Sequence, residues 1–214
     1  MSRPIVITAG ATRNPLDAIR HLSAFSTGRT GVALAESLSE SGRVHLLGSA
    51  EACLRATADS LLTLEEYTST RDLMDRLLGF IDRHPDAIVV HAAAVGDYEL
   101  ANSTGQKIPS GQQELVLRLT PTPKIIDHLR ARSARISLVS FKAASPETTD
   151  TQLLQLAQNQ QARTGSDLVF ANVIGRLGAQ VLLLGDRPDW HATRTQALAA
   201  LLAQLQQWQT GMPT

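Results

Sequence analysis

The chain has 214 residues, 43 % of them hydrophobic and 19 % charged; that is enough for one folded domain with a sizeable core, and it argues against disorder as the main state. Twenty Lys plus Arg balance twenty Asp plus Glu, which disfavours a nucleic-acid backbone or an anionic membrane surface as partner. Cys53 is the one cysteine; this excludes an intrachain disulfide and a cysteine-rich zinc site, and it suits a reducing cytoplasm.

Read from the N-terminus, MSRPIVITAG enters a strand-like run too soon for a signal-peptide apolar region, and no stretch approaches the ~18 apolar residues of a membrane span. Pro4 to Ala9 is β-branched and apolar and closes at Gly10, which predicts a buried strand. Arg29 to Ser41 predicts a helix, with Val32, Leu34, Ala35 and Leu38 at helical spacing and Gly42 as its C-terminal cap. Arg43 to Leu47 predicts a second strand. Arg71 to Arg83 carries Leu73, Met74, Leu77, Leu78 and Ile81 on one helical face, with Thr70 as N-cap. Ala87 to Ala93 is continuously apolar, as a strand covered on both faces requires.

Asn102 to Gln113 is polar and aperiodic, with two glycines and a proline, and predicts a mobile loop within about 99–113. Leu115 to Leu119 alternates and predicts a strand. Lys124 to Arg132 predicts a short helix, Ile136 to Phe141 a strand, and Thr151 to Arg163 a helix capped by Thr149 or Asp150. Asp167 to Ala171 and Gln180 to Leu184 predict strands. Thr193 to Trp208 predicts a last helix with Leu198, Leu201, Leu202, Leu205 and Trp208 on its apolar face. Strands alternating with helices imply a single Rossmann-like, doubly wound α/β domain, its sheet mainly parallel with helices on both faces. Ligands of such sheets bind beyond the carboxyl ends of the strands. The segments to inspect are Thr8 to Gly31, Ala92 to Lys107, Phe141 to Ser145 and Ala171 to Arg176.

The first of these ends in HLSAFSTGRTG, where Ser26, Thr27, Gly28 and Gly31 leave little bulk before a helix. Bare backbone N–H groups, the positive end of the helix dipole and Arg29 together suit an oxyanion such as phosphate; the plainer reading is ordinary helix capping. It is not the dinucleotide fingerprint, because ~20 residues separate strand from helix where that motif has a tight turn. In HAAAVGDYEL, small residues let a flat ligand lie against the backbone. Asp97 at the rim can accept hydrogen bonds or help hold a divalent cation, or it is a surface aspartate beside tight packing. Lys107 lies in the polar loop and is either solvated surface or a cation that folds over phosphates. In SFKAAS, Phe141 is a base-stacking ring or a core side chain, and Lys142 a phosphate contact or a snorkelling one. Asn172 stands at a strand end, where an amide caps turns. His91 reads as a packed, satisfied histidine, and no residues show the spacing of a protein-only metal site.

In this order, ITAGATRNPLDAIRHLSAFSTGRTGVALAE, AAAVGDY, QKI, PTPKII, SFKAA and DLVFAN resemble the phosphopantothenate–cysteine ligase family over about Ile5 to Leu184. The resemblance implies a homodimer of Rossmann-like domains and a two-step reaction. CTP in most bacteria, or ATP in eukaryotes, activates the carboxylate of 4′-phosphopantothenate as an acyl-nucleotide with Mg²⁺, and the cysteine amine then displaces the nucleotide. It implies an anion cradle of Gly10, Ser26, Thr27, Gly28 and Arg29. It implies a nucleotide pocket bordered by Ala92, Ala93, Asp97, Pro123, Lys124, Ile125, Ile126, Phe141 and Lys142, with Mg²⁺ near Asp97, and catalytic roles for Lys107 and Asn172. Ala24 stands where the family usually has an asparagine that holds the acyl-nucleotide. The loop carries fewer lysines than usual, and Arg163 is the one cation of QNQQARTG. The decarboxylase partner domain of the fused forms is not expected. A second reading is a relative that joins another carboxylate and amine, or that only binds a phosphorylated ligand. A nicotinamide oxidoreductase is set aside, since neither Tyr67 nor Tyr98 is followed four residues later by lysine.

Overall fold

The structure, a computed structural model, describes residues 2–102, 105–176, 178 and 180–211. In chain order its elements are β1 (Ile5–Ala9), β2 (Arg13–Pro15), β3 (His21–Ser23), α1 (Arg29–Ser39), β4 (Val44–Gly48), α2 (Ala50–Arg55), β5 (Leu62–Glu66) and α3 (Thr70–Arg83). Then come β6 (Ile88–His91), β7 (Tyr98–Leu100), β8 (Leu119–Pro121), α4 (Ile125–Arg132), β9 (Ser137–Ala144), α5 (Asp150–Thr164), β10 (Leu168–Val173), β11 (Val181–Leu184), β12 (Pro188–His191) and α6 (Arg194–Thr210).

Eight strands form one sheet in the order β12-β11-β10-β9-β6-β1-β4-β5. The six from β5 to β10 run parallel, and β11 and β12 run antiparallel to their neighbours. Alternation along the buried strands serves both faces. Ile5 and Ile7 point into a core with Leu34 and Leu38 of α1 and Leu201 and Leu205 of α6, while Val6 packs with Leu73 and Leu77 of α3 and Leu129 of α4. Leu153 and Ala157 of α5 cover Val169 and Ala171 of β10. After β1 the chain moves outward to β4 and β5, then returns to β6 on the other side of β1. The loops leaving β1 and β6 therefore diverge, and the crevice between them is the switch point where open α/β sheets bind ligands.

The departures from expectation have local causes. β5 and β12 lie at the two sheet edges. Their exposed Glu66, Pro188 and Asp189 give no apolar run, as edge strands that resist further pairing require. LVLRL does not form a strand over its length: only Leu119–Pro121 finds a partner, in β7, and Val116 is left exposed. Ser69, not Thr70, caps α3 by accepting the Asp72 N–H at 3.2 Å. Gly42 is not a left-handed cap; a Cβ there would meet the Gln209 amide at 2.5 Å. Of the polar stretch 102–113, residues 103 and 104 lie outside the described residues, and the rest is neither helix nor strand.

His91 closes β6 inside the protein. Ala93 N–H donates to Thr8 Oγ1 at 3.0 Å, and Thr8 Oγ1 lies 3.0 Å from His91 Nδ1. The Thr8 hydroxyl thus joins the His91 ring to the backbone of the loop leaving β6. Burial pushes the His91 pKa down from 6.5 to about 4. The unfolded chain binds this proton near 6.5 and the folded one does not, so His91 leaves stability intact above 6.5 and erodes it as pH falls towards 4, at up to ~1.4 kcal/mol per pH unit. His91→Asn should lose that part of the slope, measured as the difference between wild-type and variant urea midpoints at pH 4.5, 5.5 and 7. Parallel pH profiles would contradict a buried neutral imidazole.

Candidate functional site

The N-terminus of α1 is set directly onto the end of β1. Gly28, the residue before the helix, has φ +75°, and a Cβ on it would lie 2.6 Å from Ala52 Cβ and 2.9 Å from Gly10 N. A Cβ on Gly31 would lie 2.7 Å from Ala9 Cβ and 3.1 Å from Thr8 O. Glycine is thus required for both the left-handed turn and the close helix–strand approach. Ser49, Ser69, Thr149 and Thr193 cap α2, α3, α5 and α6; no side chain caps α1 or α4, and of these two α1 alone has no acid in its first turn. Its first amides and the positive end of its dipole are left for a ligand.

These amides face a cavity of about 630 Å³ in the switch-point crevice, lined by residues 25–31 and 92–94 together with Phe141, Ala143, Asn172, Val173, Ile174, Gly175 and Arg194. The two loops that frame it are laced together, since Ala94 N–H donates to Gly10 O at 2.8 Å and Thr12 N–H to Ala94 O at 3.1 Å. Phe141 stacks on Phe170 with centroids 4.9 Å apart. The described lining contains two arginines, Arg29 and Arg194, and no Asp or Glu. A cavity with a bare helix N-terminus, two cations and an aromatic wall suits a phosphorylated ligand with a flat ring. A smaller cavity of about 220 Å³, lined in part by Arg13, His21, Ala24 and Glu51, shares the wall Phe25–Thr27 with it.

Of the residues singled out in the sequence, Ser26, Thr27, Gly28, Arg29, Ala92, Ala93, Phe141 and Asn172 come together in the larger cavity. Gly10 sits behind Gly28, and its missing side chain makes room for Ser49. Several others lie outside the lining. Ile125 is 1 % exposed and belongs to the core, and Ile126 packs against that core; neither lines this cavity. Pro123 precedes them on the same segment. Lys142 follows Phe141 on β9, and the strand pleat sends it to the opposite face. Asp97 is held by Lys124, with Nζ 2.5 Å from Oδ1, and this exposed pair stands at the rim. Arg163 is committed to Asp127 on α4. Among the described residues no group of three or more His, Cys, Asp or Glu is placed to hold a metal ion.

Lys107 is exposed, and its segment is tied down by Asp17, a residue that no motif singles out. Asp17, 6 % exposed, accepts from the Ile19 and Arg20 N–H groups at 2.9 and 2.8 Å and from Ile108 N–H at 3.0 Å. Its carboxylate also pairs with the Arg20 guanidinium, which in turn donates to Ile108 O at 2.8 Å. Both backbone groups of Ile108 are therefore clasped beside Lys107. The signal available in the sequence is an Asp followed three residues later by Arg in a turn after proline. Arg20 and the amides hold the Asp17 carboxyl well below the usual carboxylate range. The clasp should stay closed at pH 3, where ordinary carboxylates are mostly protonated. Asp17→Asn should open it, read as faster amide exchange at Ile108 and faster proteolysis within 105–113; unchanged exchange would mean that the segment is held by something else.

The sheet order and the switch-point crevice define a Rossmann-like α/β protein with an arginine-lined cavity at the carboxyl ends of its strands. Residues 1–186 match the family described as DNA/pantothenate metabolism flavoprotein C-terminal domain, and the chain belongs to that family. The coenzyme A biosynthesis bifunctional protein CoaBC of Thermococcus kodakarensis is 37 % identical over 188 residues, an alignment that covers 85 % of this chain and 44 % of that protein. The chain thus spans less than half the length of this relative. Among solved structures, the DNA/pantothenate metabolism flavoprotein of Streptococcus pneumoniae is similar with a TM-score of 0.85 at 24 % identity, covering 97 % of this chain and 100 % of that one. A Cab2 variant in complex with phosphopantothenate-cysteine is similar with a TM-score of 0.74 at 19 % identity, covering 99 % and 89 %. These two share the fold. No described helix is long and apolar enough to cross a membrane.

Proposed function

We propose that this chain joins 4′-phosphopantothenate to cysteine in coenzyme A biosynthesis, with a nucleoside triphosphate, CTP or ATP, as co-substrate. The observation that carries the reading is the uncapped α1 N-terminus facing an acid-free cavity at the switch point. Family membership and the likeness to CoaBC and to the Cab2 complex support the same substrate class.

In the proposed reaction the pantothenate carboxylate attacks the α-phosphorus and pyrophosphate leaves. The cysteine amine then attacks the acyl carbon, and the nucleoside monophosphate leaves as the amide forms. The amides at Gly28 to Gly31, with Ser26 and Thr27, hold phosphoryl oxygens. The Phe141 face takes the base. Lys107, on the segment clasped by Asp17, would neutralise charge as it develops on the phosphates. Among the described residues no group of three or more His, Cys, Asp or Glu is placed to hold a metal ion, and Asp97 pairs with Lys124; Mg²⁺ would arrive with the triphosphate. We place the reaction in the cytoplasm, in keeping with the single cysteine, and in a homodimer. A second copy would cover exposed apolar groups such as Phe25, Ile19 and Val116.

A second reading has one observation in its favour. Ala24, on the smaller cavity, presents no amide where the family's asparagine would stand. A relative with this change would activate a carboxylate but pass it to another amine. Incubation with 4′-phosphopantothenate, Mg²⁺ and CTP or ATP, with and without cysteine, separates the two. Cysteine-dependent amide with pyrophosphate release is expected. Release without amide favours the second reading, and no release with either nucleotide overturns the proposed ligation of 4′-phosphopantothenate. Lys107→Ala should lower kcat about 10²-fold with an unchanged melting temperature. Unaltered turnover would remove Lys107 from the mechanism.

A further inference from the structure

Arg194 opens α6 and lies beyond residues 1–186, the part of the chain that matches the family. Many arginines here are matched to carboxylates: Arg20 to Asp17, Arg76 to Glu65 and Asp72, Arg130 to Asp167, Arg132 to Asp82. Arg194 is held differently. Its Nη1 donates to Asn172 Oδ1 at 2.9 Å and its Nη2 to Thr30 Oγ1 at 3.1 Å, and its guanidinium lies over the Phe170 ring, 5.0 Å from the centroid. All three contacts are to uncharged groups, and no described carboxylate forms an ion pair with it. The surrounding wall draws its pKa down through loss of solvation, while much of the side chain still faces the cavity it lines.

The arrangement is that of a preset cation without its anion. Thr30 belongs to the first turn of α1 and Asn172 to β10, so the guanidinium bridges the two walls of the crevice. An arginine has five N–H donors in a planar fork; two are used to fix its orientation, and the others are left for an incoming oxyanion. The ring beneath it favours a positive charge at that point.

Resting on the reading that the ligand is phosphorylated, we propose that Arg194 binds a phosphoryl group in this cavity, beside the first turn of α1. Asn172 is then a positioning residue that aims the guanidinium. Titration calorimetry with inorganic triphosphate, CTP, ATP and 4′-phosphopantothenate tests this on the full chain. Arg194→Gln should weaken at least one of these ligands by about tenfold or more, the loss expected of a charge-assisted hydrogen bond. Arg194→Lys, which keeps the charge and loses the fork, should recover part of it. Asn172→Asp, which supplies an internal anion, should weaken binding as Arg194→Gln does. Loss confined to the triphosphates assigns the contact to the nucleotide, and loss confined to 4′-phosphopantothenate assigns it to the substrate phosphate. If Arg194→Gln does not fold, the other two variants decide the question. Wild-type binding with no loss in any folded variant overturns the role of Arg194 and leaves the proposed reaction standing. A wild-type chain that binds none of the four overturns both.

Discussion

The contact on which the site depends is between α1 and the end of β1. Two side chains are missing there, at Gly28 and Gly31, and any Cβ would strike Ala52, Gly10, Ala9 or Thr8. With them absent, the helix settles far enough down that its first amides end beside the loop leaving β6. The same contact carries stability and function. Val32, Leu34, Ala35 and Leu38 bury the helix against the sheet, and that packing fixes where the uncapped end points. Removing the cap costs the helix about 1 kcal/mol by general measure, a cost that a bound anion would offset.

The charge distribution follows the same logic. At the periphery, cations and carboxylates neutralise one another between elements: Arg71 with Glu99, Arg130 with Asp167, Arg163 with Asp127, Lys124 with Asp97. These exposed pairs add little to stability, but they remove competing charges. Inside the cavity the balance changes, with Arg29 and Arg194 present and acids absent from the described lining. The chain is neutral overall, so the local excess of positive charge in this cavity is not legible in the net charge.

Much of the fold can be read from the sequence because central strands and amphipathic helices leave periodic apolar signals. Pro4–Ala9, Ala87–Ala93 and the face of Leu73, Leu77 and Ile81 are sufficient for the layers. The edge strands are not legible, since an edge is polar by necessity. The α1 end of the site is legible because small residues crowd into FSTGRTG. Ile125 and Lys142 look like site residues because they adjoin site segments in the chain, yet a helix face turned inward takes one to the core and a strand pleat takes the other across the sheet. Asp17 and Arg194 escape a sequence reading for the converse reason. Each acts across the fold, on Ile108 and on Thr30 and Asn172 respectively, and neither sequence neighbourhood names its partner.

The central claim is that the bare first turn of α1 grips a phosphoryl group, and amide chemical shifts of the ¹⁵N-labelled chain test it most directly. On titration with CTP or ATP, the account predicts that the backbone N–H signals of Arg29, Thr30 and Gly31 move downfield and saturate together, ahead of amides elsewhere in α1. Saturable binding that leaves those three signals in place would contradict it.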